Sequence, residues 1–290
     1  ENGAYIILAS NYPNVLKENF NKFCDVFLES ANIGRCFSMY KMATRYVIDN
    51  NLFKFENKKI IYANDSVFFI KKNLSGEIDK LLNNKYDLIT QVENFDEQSR
   101  YHGSSWFFSL DYNVFKNKKI KNFWNRFFEI NNRFYNIRHG EVALSKILLK
   151  NNFKILSSFN LENLIDSEEF CIENIRYLST KIESDYIENR YNNISNKNSF
   201  KSFFYLNFHL VPLMQSANLF LLKFCNFPFI KKDLFWRSNT PLQSIRLLEK
   251  IFSSDNDSKY WYEIESFFLN RGRLENRNIF IKILVFLGIK

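Results

Sequence analysis

Residues 60–69 read IIYANDSVFF, an apolar, β-branched and aromatic run broken once, by Asn64-Asp65-Ser66. Lys59-Ile60-Ile61-Tyr62-Ala63 has the pattern of a strand covered on both faces, as in a parallel sheet. An acid at the carboxyl end of such a strand stands where open α/β sheets bind ligands. Asp65 there can hold a divalent cation, and the cation a diphosphate. The plainer reading is a strand closed by an Asn-Asp turn, which these residue types favour on their own.

Working outward, residues 5–10 read as a short buried strand ending in the Asn11-Tyr12-Pro13-Asn14 turn. A helix over 15–23, a strand over 25–28, a loop at 32–35 and a helix over 37–50 follow. This β-α-β-α-β order predicts a parallel sheet with right-handed crossovers. Downstream, the pattern gives a brief helix at 77–82, a strand at 86–92 and a polar loop at 94–103. A strand at 105–110, an aromatic helix at 120–130, a helix over 142–151 opened by Arg138-His139-Gly140-Glu141, and a strand at 153–156 complete this region. Beyond about residue 160 the pattern turns helical, with segments at 173–191, 216–224, 243–252 and 261–268 around a polar loop at 192–199. The last apolar stretch, 279–289, is interrupted by Lys282. It reads as a terminal helix completing the core, with a membrane-surface helix as the other reading.

The 290 residues suit one large domain or one with a helical extension. A 46% hydrophobic fraction with 33 Phe and 15 Tyr supplies a core, and only 7 Gly and 4 Pro argue against a fibrous or disordered chain. The net charge of +9 suits anionic partners: nucleic acid, acidic headgroups or phosphorylated substrates. No recognised nucleic-acid motif accompanies it, which leaves nucleic acid the weakest of the three. Cys24, Cys36, Cys171 and Cys225 form no C-x-x-C pair. They read as reduced, buried, small apolar residues in a cytosolic setting. No signal peptide is visible, and no uninterrupted apolar run reaches the roughly 18 residues of a spanning helix. The chain does not begin with Met, so an upstream portion is an open expectation.

Two further segments carry polar groups suited to chemistry. At Arg138-His139-Gly140-Glu141, a carboxylate in a first helical turn is held ionised by the helix dipole. It can take a proton from an attacking hydroxyl; alternatively it serves helix stability alone. Tyr101-His102-Gly103-Ser104-Ser105-Trp106 offers hydroxyls, an imidazole and an indole at the start of a strand. These groups suit sugar recognition, or else form a loop His above a core Trp. Three histidines, none at i and i+4, make a zinc site a poor reading. No G-x-S-x-G elbow, G-x-x-x-x-G-K-[ST] loop or G-x-G-x-x-G follows a strand.

In their shared order, these segments resemble the rhamnan synthesis F family of bacterial polysaccharide glycosyltransferases. Residues 32–41 (NIGRCFSMYK) are similar to its N-x-G-x-D-F-G-x-Y-K block, and 62–67 (YANDSV) to its A-N-D-S-V strand end. His102-Gly103-Ser104-Ser105-Trp106-Phe107-Phe108, leading to Phe123-Trp124, resembles its H-x-Q-S-[YW]-F block and F-x-x-F-W helix. Glu141-Val142-Ala143-Leu144-Ser145 with Phe153-Lys154 resembles its E-V-x-L-[ST] and G-[YF]-K elements. Asn207-Phe208-His209 and 227–232 (FPFIKK) resemble its N-x-[TH] and G-F-P-F-[IL]-K segments.

The resemblance implies a GT-A-like, mostly parallel sheet flanked by helices. It divides the chain into a nucleotide-sugar core at 1–160 and a helical region at 161–290 on the acceptor side. It implies Asp65, with Asn64 beside it, as the ligand of Mg²⁺ or Mn²⁺ and the donor diphosphate, and Lys41 near the nucleotide. Glu141 becomes the base of an inverting transfer. His102, Ser104, Ser105, Trp106, Arg138 and His139 become substrate-binding residues. The expected reaction moves a sugar, rhamnose among the candidates, to a lipid-linked O-antigen or capsule glycan at the inner face of the cytoplasmic membrane. A retaining transferase and a non-catalytic glycan-binding or assembly module are the alternatives. Two departures stand out: Cys36 where the family has Asp, and Ser104 where it has Gln.

Overall fold

The computed structural model describes residues 4–11, 20, 22–31, 33–52, 59–83, 85–95, 101–178, 202, 212–236, 242–253, 258–271 and 277–287. Most of the helix expected at 15–23, most of that at 173–191, the loop at 192–199, and Asn32, Asn207 and His209 lie outside these residues.

The chain is α/β, but its strands are not mostly parallel. β1 (Ile7–Ser10) pairs in parallel with β2 (Val26–Glu29), as the alternating order predicts. α1 (Arg35–Asp49) follows, then β3 (Lys59–Ala63) and β4 (Val67–Phe69). β3 does not extend the first pair by hydrogen bonding. It lies antiparallel to β7 (Phe107–Asp111), with Tyr62 opposite Phe108. β7 in turn lies antiparallel to β5 (Leu88–Phe95), and β5 parallel to β8 (Ile155–Phe159). The parallel expectation rests on strand order alone; aromatic pairing decides the partner. The Tyr62 and Phe108 rings stack at 4.7 Å, a contact type worth about 0.5–1.5 kcal/mol beyond area burial.

The polar stretch expected as a loop at 94–103 carries strand at both of its ends. β5 runs on to Phe95, and β6 (Tyr101–Gly103) returns antiparallel to it. Between the pairs Thr90↔Phe108 and Glu93↔Gly103, two residues of β5 face residues 104–107. The returning chain therefore bulges, which bends a strand and re-aims its side chains. Ser104 closes the bulge: its amide donates to the Val92 carbonyl (2.9 Å), and its carbonyl accepts from Thr90 Oγ1 (2.8 Å).

α2 (Lys71–Leu81) precedes β5; α3 (Tyr112–Lys116) and α4 (Lys118–Arg126) follow β7. The next helix starts earlier than Gly140. It runs from Arg133–Tyr135 through a π-helical stretch, Asn136–Val142, into Ala143–Lys150, and is called α5 throughout. Asn132 caps its start, Oδ1 accepting from the Tyr135 amide at 2.9 Å. After β8 come α6 (Leu161–Asp166), a 3₁₀ helix (Ile172–Tyr177), α7 (Leu213–Ser216), α8 (Asn218–Phe224), β9 (Phe229–Lys231) and α9 (Asp233–Trp236). α10 (Leu242–Ser253), α11 (Ser258–Arg271) and α12 (Ile279–Phe286) complete the described elements.

One face of the central sheet packs Tyr62, Phe108 and Leu110 against Phe37, Tyr40, Trp124 and Leu144 from α1, α4 and α5. The other packs Ile89, Val92 and Phe107 against Met214, Phe220 and Phe229. β9 pairs antiparallel with β4, so the core runs without a break across residue 160. Two expectations need correction. The cysteines are free but only half-buried. The terminal helix leaves all but Val285 of its buried candidates in partial or full contact with solvent.

Candidate active site

Glu141 sits in the second half of the π-helical stretch, not in a first helical turn. The helix-dipole argument for it therefore falls away, since that effect fades within the first turn. Its geometry comes instead from the strand it faces. Ser105, carried on the bulge, donates its hydroxyl to Glu141 Oε1. His102 Nε2 lies 3.7 Å from Oε2, an ion pair only when the imidazole is protonated. One turn along α5, Ser145 Oγ accepts from the Gly103 amide at 3.2 Å, which holds β6 along the helix. The Glu141 side chain is 20% exposed, so the carboxylate is oriented by protein yet open to solvent.

α1 closes the site from the far side. The Tyr40 hydroxyl donates to the Ser105 carbonyl at 2.8 Å. Burial, then the neighbouring Cys36 and Glu141, hold the Tyr40 phenol well above its usual pKa, so it stays a donor. Cys36 is pushed up to about 12, by burial first and by the Glu141 carboxylate second. At that value it is a neutral thiol beside the acid.

Asn64 and Asp65 form the turn at the end of β3. Asn64 Oδ1 accepts from the Ser66 amide (3.0 Å) and hydroxyl (2.6 Å), an Asx turn. Asp65 is exposed at its crest. The plain turn reading and the functional one are thus both compatible with this geometry. The Asn64 amide donates to the Trp106 carbonyl at 3.0 Å, which ties this turn to the residue after Ser105. Three of the separated sequence blocks meet there, with the fourth, on α1, between them.

Other candidates fall elsewhere. Lys41 donates to the Phe127 carbonyl (3.0 Å) and pairs with Glu129 (3.2 Å), so its ammonium ties α1 to the end of α4. Trp106 is core: its ring lies 4.7 Å from Phe229, and its indole N–H is buried without a partner. Ser104 is buried in the bulge, its hydroxyl 3.2 Å from the Val92 amide that donates to it. Arg138 and His139 are exposed on the turn before Glu141, and the His139 ring stacks on Tyr135 at 4.4 Å.

A cavity of about 10 Å³ lies among Phe37, Gly103, Ser105, Glu141, Leu144 and Ser145, room for about one water centre. A sugar would sit on the open side of Glu141, not within it. Among the described residues no group of three His, Cys, Asp or Glu is placed to hold a metal ion. A lone exposed carboxylate still suits Mg²⁺, which keeps waters and shares substrate phosphates instead of filling a protein cage.

Tyr40 and Ser145 are site residues that stand at fixed positions of the resembling blocks, which give them no role. Tyr40 carries a signal: it lies four residues after Cys36, on the same helical face. Compared with known protein families, curated proteins and solved structures, the chain matches none.

Proposed function

We propose that the protein is a glycosyltransferase. It moves a sugar, with rhamnose a candidate, from a nucleoside diphosphate donor to a lipid-linked glycan at the cytoplasmic membrane face. The observation that carries this reading is the convergence of Glu141, His102 and Ser105 beside the Asn64-Asp65 turn, whose Asn64 amide donates to the Trp106 carbonyl at 3.0 Å. An inverting transfer needs a base and a diphosphate-holding group that face one crevice, and the reading assigns these roles to Glu141 and Asp65. Asp65, with the donor's phosphates, would hold Mg²⁺ or Mn²⁺, and a cation there neutralises the leaving diphosphate. Ser105 orients the Glu141 carboxylate. Glu141 takes the proton of the acceptor hydroxyl, whose oxygen forms the new bond to the anomeric carbon as the bond to the diphosphate breaks. Arg138 and His139, exposed one turn earlier, are placed to meet the acceptor.

The test is a thermal-shift screen against UDP-, GDP- and dTDP-sugars with Mn²⁺, joined to a transfer assay. One donor class should raise the melting temperature, and Asp65→Ala should remove the metal-dependent part of the shift. Glu141→Gln should keep the shift and lose about 10²–10⁴-fold in turnover, the usual weight of a general base. Wild-type turnover in Glu141→Gln, or no shift with any nucleotide sugar, overturns the reading. A second reading, a glycan-binding module with a decayed donor site, draws on the neutral Cys36 thiol where the resembling family has a carboxylate. Glycan binding without donor binding would mark it.

A further inference from the structure

α12 is an apolar helix turned outward. Ile279, Phe280, Ile283 and Phe286 fall within a roughly 120° arc at 100° per residue. That arc faces solvent, with Ile279 77% and Phe286 79% exposed, while Val285 on the opposite side is buried. An exposed apolar stripe of this kind marks a surface for interaction outside the protein.

The stripe does not stand alone. Asn132 Nδ2 donates to the Leu287 carbonyl at 3.0 Å, which brings the end of α12 against the 128–134 segment. That segment exposes Phe128 and Phe134. Lys282 on α12 is exposed, as are Arg126, two residues before Phe128, and Arg138, four residues after Phe134, and α12 has no acid. The nearby acids Glu129 and Asp233 are engaged by Lys41 (3.2 Å) and Arg133 (3.5 Å). Exposed aromatics set among cations match a bilayer interface, where apolar side chains enter the headgroup boundary and cations meet anionic lipid.

We propose that α12 and the Phe128–Phe134 surface seat the protein on an anionic lipid bilayer. Phe134 lies on the same helix as Glu141, about 10 Å along its axis. A bilayer on this surface presents lipid-linked chains within reach of the carboxylate. This consequence rests on the lipid-linked acceptor of the proposed function; the surface itself does not.

The experiment is co-sedimentation of the full chain with vesicles of phosphatidylcholine alone or mixed with phosphatidylglycerol, without donor or acceptor. The protein should partition onto the mixed vesicles and come off as salt is raised. Lys282→Gln should weaken partitioning about fivefold, the weight of one cation near an anionic surface. Phe280→Ser with Phe286→Ser should abolish it while leaving the melting temperature unchanged, because both rings are exposed. Equal partitioning of wild type and the double serine variant overturns the proposal, as does no partitioning at all. So does a dimer in size-exclusion chromatography that the double variant dissolves, which would make a second copy the occupant. Because no sugar nucleotide is present, vesicle binding can fail while donor binding stands, and the reverse.

Discussion

Cys36 shows how one side chain alters the behaviour of the whole protein. Burial pushes its thiol up to about 12 and that of Cys225 up to about 11. An unfolded thiol titrates near about 8.5. Above that value the unfolded chain releases protons that the folded chain keeps, so the unfolded state binds fewer and stability falls with rising pH. The contribution is fully present below about pH 8.5, and it is lost progressively until the folded thiols ionise. Cys36→Ala should make this alkaline slope shallower in urea midpoints measured between about pH 8 and about pH 11. Some slope should persist, because burial also raises Tyr40, Tyr62 and Tyr101. An unchanged slope would mean that the thiol is not desolvated. The same residue marks the reach of sequence reading. Its departure from the resembling block is visible at once, but its position against Glu141, far along the chain, is set by packing. Trp106 is the converse case. An indole beside a serine pair reads as a sugar platform, yet β9 covers it with Phe229.

At the scale of elements, two irregularities build the site: the bulge at 104–107 and the π-helical stretch of α5. Neither has a period that a sequence window detects, because each is a local slip in register imposed by the partner. Gly140 is one readable trace. A Cβ there would meet the Phe37 ring at 2.8 Å, so the glycine lets α5 settle on α1. Taken as a helix opening, that glycine places the start too late; the Asn132 cap is the better signal. Gly34 has a different duty. Its φ of 84° lies in the left-handed region, and its amide donates to Asn131 Oδ1 at 2.8 Å, fixing the turn into α1. Gly140→Ala should cost about 1–3 kcal/mol in denaturant unfolding, the usual penalty for overpacking a filled contact. It should also lower transfer more than donor binding, since the displaced element carries Glu141. A variant as stable as wild type would mean that Phe37 yields without cost.

For the molecule as a whole, the question is whether residue 160 divides anything. The change from alternating strands to helices is plain in the sequence and makes a boundary there the natural expectation. What composition cannot show is which apolar side chains share a core. β4 places Val67 on one side and Phe68 on the other, and β9 does the same with Phe229 and Ile230. The β4–β9 pair therefore joins the core behind the central sheet to the helices that follow it. Phe229 is the hub: its ring lies 5.6 Å from Phe69, 4.7 Å from Trp106, 5.2 Å from Phe107 and 5.3 Å from Phe227. Removing it takes contacts from both halves at once. Phe229→Ala should lower stability by about 3–5 kcal/mol, as for other fully buried rings. Against a typical total of about 5–15 kcal/mol, that is a large share. The loss should appear in one cooperative transition, with far-UV dichroism and tryptophan fluorescence moving together. Residues 1–160 expressed alone should fail to give a sharp transition, because Trp106 and Phe107 would face water. Two resolved transitions in the full chain, with only the second shifted by Phe229→Ala, would show instead that the helical region folds as a separate unit.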